Sequence, residues 1–245
     1  MLDSYTDPDA LMEGTLLLSS SHIIALLIGL SLILLLYFLR NREKAKVYGR
    51  WGIFGALLMS EAWLNYWYLS TDMWDIAYTL PFQLCSISLY LCMWMLITKQ
   101  SWTFEVVYFL GLGGALQALL TPELFYDFPH FRFIHFFMAH TAIILSVFYM
   151  LWVEKKAITF KSMVKAFVAL QFIAGLVFFI NALTGGNYMF LARKPSNASI
   201  IDLLGPYPWY ILSLEFVVII MFFILYVPLQ ILKKKASQNI DLGKT

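Results

Sequence analysis

The run SHIIALLIGLSLILLLYFL at residues 21–39, followed at once by RNREKAK at residues 40–46, decides how the rest of this chain is read. A helix rises about 1.5 Å per residue, so an uncharged apolar run of this length crosses a hydrocarbon layer roughly 30 Å thick. Six further runs of the same character follow, near residues 51–69, 80–98, 103–120, 133–153, 163–182 and 209–232. They lack the alternation of apolar and polar residues that a transmembrane barrel needs and are too long for its strands. Their backbone groups must therefore be satisfied within helices. The expected fold is all-α, a bundle of seven transmembrane helices.

The composition agrees, with 61% hydrophobic and 13% charged residues, which excludes an ordinary soluble domain. No fixed-period repeat, proline-rich linker or low-complexity tract interrupts the chain, so one transmembrane domain is expected over residues 21–232. It is preceded by an N-terminal segment (1–20) and followed by a tail (233–245). The first run is not read as a secretory leader, because Asp3, Asp7, Asp9 and Glu13 precede it without any Lys or Arg.

Cations set the expected orientation. Arg40, Arg42, Lys44, Lys46 and Arg50 follow the first run, Lys99 the third, and Lys155, Lys156, Lys161 and Lys165 lie between the fifth and sixth. Lys233, Lys234, Lys235 and Lys244 are in the tail. Fourteen of the seventeen Lys and Arg thus fall on one side, leaving Arg132, Arg193 and Lys194 on the other. By the positive-inside rule the crowded side is cytoplasmic, with the N-terminus outside and the C-terminus inside. A net charge of +2 built from such topology signals does not indicate a nucleic-acid partner. Membrane lipids are the expected partners.

Given that topology, the polar residues inside the runs collect in one layer. Glu61, Asn65, Gln117 and Asn181 lie at mid-depth or in the outer half of the outward-running helices. Gln83, Cys85, His135, His140 and Glu215 take similar depths on the inward-running ones. Polar groups are costly in hydrocarbon and turn toward a bundle interior, so a polar cavity opening to the outer leaflet is expected.

Cys85 stands about one turn inside a helix whose first turn holds Pro81, where the positive end of the helix dipole favours a thiolate. Buried cysteine more often behaves as a small hydrophobe, which is how the deeper Cys92 is read. His140 in Ala139-His140-Thr141 is either an interhelical hydrogen-bonding group or the general base of a Cys-His acyl-transfer pair. Glu61, Asn65, Gln83, Gln117, Asn181 and Glu215 are candidates to orient that histidine or to stabilise an oxyanion, or else form structural interhelical bonds. Arg132, Arg193 and Lys194, the exterior cations, are candidates for binding a phospholipid headgroup.

The two cysteines are seven residues apart on one helix, near 10 Å, too far for a disulfide. No CxxC and no His pair at i, i+4 supports a metal site, and no cofactor is expected. His130 and His135, together with Trp63, Tyr66, Trp67, Tyr68, Trp74, Tyr207 and Trp209, are read as interfacial anchors. Asn197-Ala198-Ser199 matches a glycosylation sequon.

LPFQLCSIS at residues 80–88, residues 118–122 followed by FPHFRFIH at 128–135 with Ala139-His140, GNYMFL at 186–191 and LGPYP at 204–208 resemble the YwaF-like bacterial integral membrane proteins. These are grouped with the animal transmembrane protein 164 family. The resemblance implies residence in a bacterial plasma membrane. It also implies a phospholipid acyltransferase, or acyl-ester hydrolase, in which Cys85 and His140 correspond to the family's cysteine and histidine. The competing expectation from residues alone is a transporter or ligand-sensing protein with a small polar solute in the same cavity, using Glu61, Glu215 and His140 as a proton relay.

Overall fold

A computed structural model describes residues 3–12, 14–194 and 200–242, without the side chains of residues 3, 4, 45, 200, 233 and 235–242. Glu13, Lys244 and the Asn197-Ala198-Ser199 sequon lie outside the described residues, as do the side chains of Asp3, Lys233 and Lys235. A one-turn helix α1 (Asp3–Thr6) precedes seven long helices. These are α2 (Ser20–Leu39), α3 (Arg50–Ser70), α4 (Leu84–Thr98), α5 (Ser101–Leu120), α6 (Phe131–Phe148), α7 (Phe160–Thr184) and α8 (Trp209–Leu242). No strand occurs among the described residues. The seven-helix count fits the hydropathy of the chain. Five of the seven (α2, α5, α7, α8 to Leu232, and α6 with its π-helical extension to Val153) are long and apolar enough to cross a membrane.

The other two depart from the sequence expectation for local reasons. The run at residues 80–98 does not become helical until Leu84, because the chain bends at Pro81 and Gln83 is extended (φ −69°, ψ 146°). The remaining 15 residues span about 22 Å at about 1.5 Å each. Helix α3 has the length, but Glu61 and Asn65 interrupt its apolar character.

The contacts divide the chain into two compact units, residues 1–156 and 157–245. In the first, α6 packs against α2, α3, α4 and α5, and α5 against α4. Close approach is permitted by small residues: a Cβ added at Gly111 of α5 would lie 3.3 Å from Ile143 of α6 and 3.5 Å from Ser88 of α4. Gly29 of α2 similarly accommodates Thr141 of α6.

His22, buried at the start of α2, ties the N-terminal segment to the bundle. Its Nδ1 accepts from the Leu18 N–H (3.0 Å) and its Nε2–H donates to the Leu119 carbonyl at the end of α5 (2.8 Å). His130 is the N-cap of α6, accepting from the Arg132 N–H and bonding to the Asp7 carbonyl, its ring stacked on Tyr126. Burial holds this imidazole below its ordinary pKa, against the pull of the Asp7 hydrogen bond. His130 is therefore a buried cap and tether rather than an interfacial anchor.

In the second unit, α7 packs against α8. It begins in a reciprocal capping box between Thr159 and Ser162. The turn after α7 is clamped by Asn181, whose amide donates to the Tyr188 carbonyl (2.9 Å) and accepts from the Tyr188 N–H (2.8 Å).

Candidate functional site

Contacts among α4, α5 and α6 set the depth of the two residues that the sequence singled out. Gly111 faces both Ser88 and Ile143, while Cys92 lies beside Ser146. Helices α4 and α6 therefore run in the same direction, with α5 antiparallel to both. One turn from the Ser88–Gly111–Ile143 contact toward the N-terminal ends of α4 and α6 lie Cys85, Gly114 and His140, in one layer about 4.5 Å away. The same step is marked directly on α5, where a Cβ added at Gly114 would lie 3.8 Å from the Cys85 sulfur.

Azimuth is decided by the same contacts. On a wheel of about 100° per residue, Ser146 turns to α4 and Ile143 to α5, and His140 lies about 60° from Ile143 on the flank away from Ser146. Ala139 is the residue of this layer turned at α4, and the Cα–Cβ bond of His140 leaves α6 about 60° from the face that meets α5.

Cys85 is the second residue of α4, closer to the helix start than a helix with Pro81 in its first turn would place it. The first N–H groups of any α-helix have no intrahelical acceptor, and Gln83, the N-cap, makes no side-chain capping bond. The sulfur therefore sits beside orphan donors and the positive end of the helix dipole.

The two neighbouring histidines differ in tautomer. His140 Nδ1 lies 2.7 Å from the Phe136 carbonyl, which only accepts, so Nδ1 carries the hydrogen and Nε2 keeps a lone pair. His135 Nδ1 lies 3.4 Å from a nitrogen of the Arg132 guanidinium, which only donates, so its Nε2 carries the hydrogen. Of the two, His140 alone offers a basic Nε2.

The remaining polar residues each have a hydrogen-bond partner of their own. Asn65 donates to the Glu61 carboxylate (3.1 Å) and carbonyl, and the Tyr90 hydroxyl of α4 donates to the same carboxylate (2.9 Å). The group that orients His140 is thus a backbone carbonyl rather than Glu61. Gln117 is exposed and donates to Thr121 one turn on.

Asn181 is consumed by the Tyr188 backbone, and the Glu215 carboxylate accepts from Gln171 across the α7–α8 pair (2.7 Å). Both belong to the second unit. Arg132 lies over the rings of Trp67 and Tyr68. Lys194 pairs with Asp202 (3.7 Å), while Arg193 is exposed beside the Asn187-braced loop. Among the described residues no three His, Cys, Asp or Glu side chains gather as metal ligands.

Sequence reasoning missed His22, Tyr90, the Phe136 carbonyl and Gly114. Only Gly114 left a signal, the small-residue cluster Gly111-Leu112-Gly113-Gly114-Ala115, which marks a close helix seam.

No curated protein and no solved structure matches this chain. A family model does match, that of the TMEM164 family, over residues 17–226. The seven-helix arrangement and a match over most of its length leave one assignment: this chain is a membrane protein belonging to the TMEM164 family.

Proposed function

We propose that this protein is a membrane-embedded lipid acyltransferase in which Cys85 is the nucleophile and His140 the general base. The observation that carries the proposal is the common layer of Cys85, Gly114 and His140, together with a His140 Nε2 left basic because the Phe136 carbonyl holds Nδ1–H. Residence in a bacterial plasma membrane, with the Cys85 end of the bundle toward the outer leaflet, completes the proposal. The concentration of cations at the opposite end supports that orientation.

Each proton has a place in this mechanism. His140 Nε2 takes the thiol proton as Cys85 Sγ attacks the ester carbonyl of a phospholipid. N–H groups at the start of α4 and the Gln83 amide stabilise the oxyanion. Collapse breaks the ester C–O bond, and His140 returns the proton to the leaving lysophospholipid oxygen, which leaves a thioester on Cys85. An acceptor alcohol then gives its proton to His140 and attacks the thioester, and the thiol is regenerated by the same proton. Water as the acceptor makes the reaction a hydrolysis. The oriented Nδ1–H keeps Nε2 as the basic nitrogen throughout, so no carboxylate is required.

The test uses the purified protein in lipid nanodiscs with a fluorescent phospholipid. Acyl migration and the mass of the intact chain are followed for the parent, Cys85→Ala and His140→Ala. An acyl adduct that maps to Cys85 and disappears in both variants is the expected result. Transfer at the parent rate by Cys85→Ala would sink the covalent mechanism.

A further inference from the structure

At the other end of the first unit lies a cavity of about 840 Å³ between α2 and α3, closed on one side by Leu145 of α6. Its floor is apolar, formed by Leu32, Leu35, Leu36 and Leu39 of α2 and Ile53 of α3. Gly49 and Gly52 form part of its wall, and a Cβ added at either would meet nothing within 4 Å, so these glycines leave room that no neighbouring helix fills.

The mouth is different in kind, with Arg42, Glu43 and Lys44 on it. Glu43 is neutralised by Lys46 at 2.7 Å. Among the described residues neither Arg42 nor Lys44 has a side-chain hydrogen-bond or ion-pair partner. A polar cavity of about 400 Å³ beside the same turn is lined by Arg40, Lys99, Lys155 and Glu154, and with Lys99 paired to Glu154 at 2.6 Å it adds Arg40 and Lys155. The field at the mouth is therefore positive beyond its own two cations.

We infer that this groove is a binding site for one anionic phospholipid, its acyl chain along the α2 leucines and its phosphate on Arg42 and Lys44. A neutral apolar ligand would cover the leucines and leave both cations uncompensated. A free anion would answer the cations and leave the groove along the leucines unfilled. An amphiphile matches both. The levels also agree, since α2 ends at Leu39 and the two cations follow within five residues, where hydrocarbon gives way to headgroups. The site is independent of Cys85 chemistry, so Cys85→Ala is expected to bind lipid like the parent.

The full chain in detergent, supplied with equimolar phosphatidylglycerol and phosphatidylcholine of identical chains, is read by native mass spectrometry of retained lipid. The parent is expected to hold one phosphatidylglycerol in preference, with a roughly fivefold loss of preference for each of Arg42→Gln and Lys44→Gln. Gly52→Leu fills the groove and is expected to reduce retention of both lipids. Gly49→Leu is the second filling variant, and a thermal melt checks that each variant is folded. Equal retention of the two lipids by the parent, or a preference that survives the double glutamine variant, would overturn the site. Displacement of the bound lipid by glycerol 3-phosphate would instead identify a free-anion site. A dimer without bound lipid would identify the occupant as a second copy of the chain.

Discussion

Replacing Gly114 is the sharpest test of how the Cys85 layer is built. A Cβ at this position would lie 3.8 Å from both the Cys85 sulfur and Leu84 Cδ2, an ordinary contact distance, so Gly114→Ala fits without displacement. It also removes a mid-helix glycine, worth about 0.5–1 kcal/mol of stability. Valine adds methyls about 1.5 Å beyond Cβ. One directed at either neighbour arrives at about 2.5 Å, far inside contact, and the sulfur or Leu84 must move. Overpacking of this kind costs about 1–3 kcal/mol, and displacing a nucleophile by about 1 Å lowers its rate by up to about 100-fold.

Acyl transfer in nanodiscs, thioester formation by intact mass and thermal stability should therefore separate three variants. Gly114→Ala is expected to be folded and active, and Gly114→Val folded but about 100-fold slower. Gly111→Ala, whose Cβ would meet Val107 at 3.0 Å and Ile143 at 3.3 Å, should lose stability with its chemistry retained. A folded Gly114→Val that transfers at the parent rate would refute the reasoning, as would a Gly111→Ala that loses as much transfer as Gly114→Val.

His140→Ala should lower thioester formation by at least about 100-fold and His135→Ala far less, because only His140 keeps a basic Nε2; equal losses in stopped-flow acylation would contradict the tautomer assignment. Asn181→Leu removes both bonds to the Tyr188 backbone and strands a buried N–H and carbonyl, at about 2–5 kcal/mol. Hydrogen exchange over residues 181–191 should accelerate, and unchanged protection would show that the clamp is dispensable. Glu154 is raised by burial but lowered further by hydrogen bonds from Lys99 and Tyr149 and by the Lys99 and Arg50 charges, for a net depression below 4.5. Its stabilising contribution is thus complete above about pH 4.5 and is lost as pH falls through the depressed folded value. Melting curves of the parent should show that acid loss and those of Glu154→Gln should not; parallel pH profiles would rule out the linkage.

The all-helical class and the seven helix positions were legible in the sequence because both follow from local quantities: the length of apolar runs and the cost of unpaired backbone groups in hydrocarbon. Cys85 and His140 could be assigned similar depth for the same reason, since depth along a span is a residue count. Azimuth is not local. That His140 leaves α6 about 60° from the α5 face, and that Gly114 is the α5 residue next to the Cys85 sulfur, depends on which faces of three helices meet at Gly111, and the near-uniform apolar character of α5 hides its face.

The partners of Glu61, Asn65, Gln117, Asn181 and Glu215 turn on a related point. Depth alone does not say that Asn65 is satisfied by Glu61, or Gln117 by Thr121, one turn along their own helices, nor that Tyr90 and Gln171 supply partners from adjacent ones. A polar side chain in an apolar span must find a hydrogen bond, and that much the sequence determined by itself; which partner it takes, the tertiary structure decided, because the nearest donor or acceptor is chosen by packing.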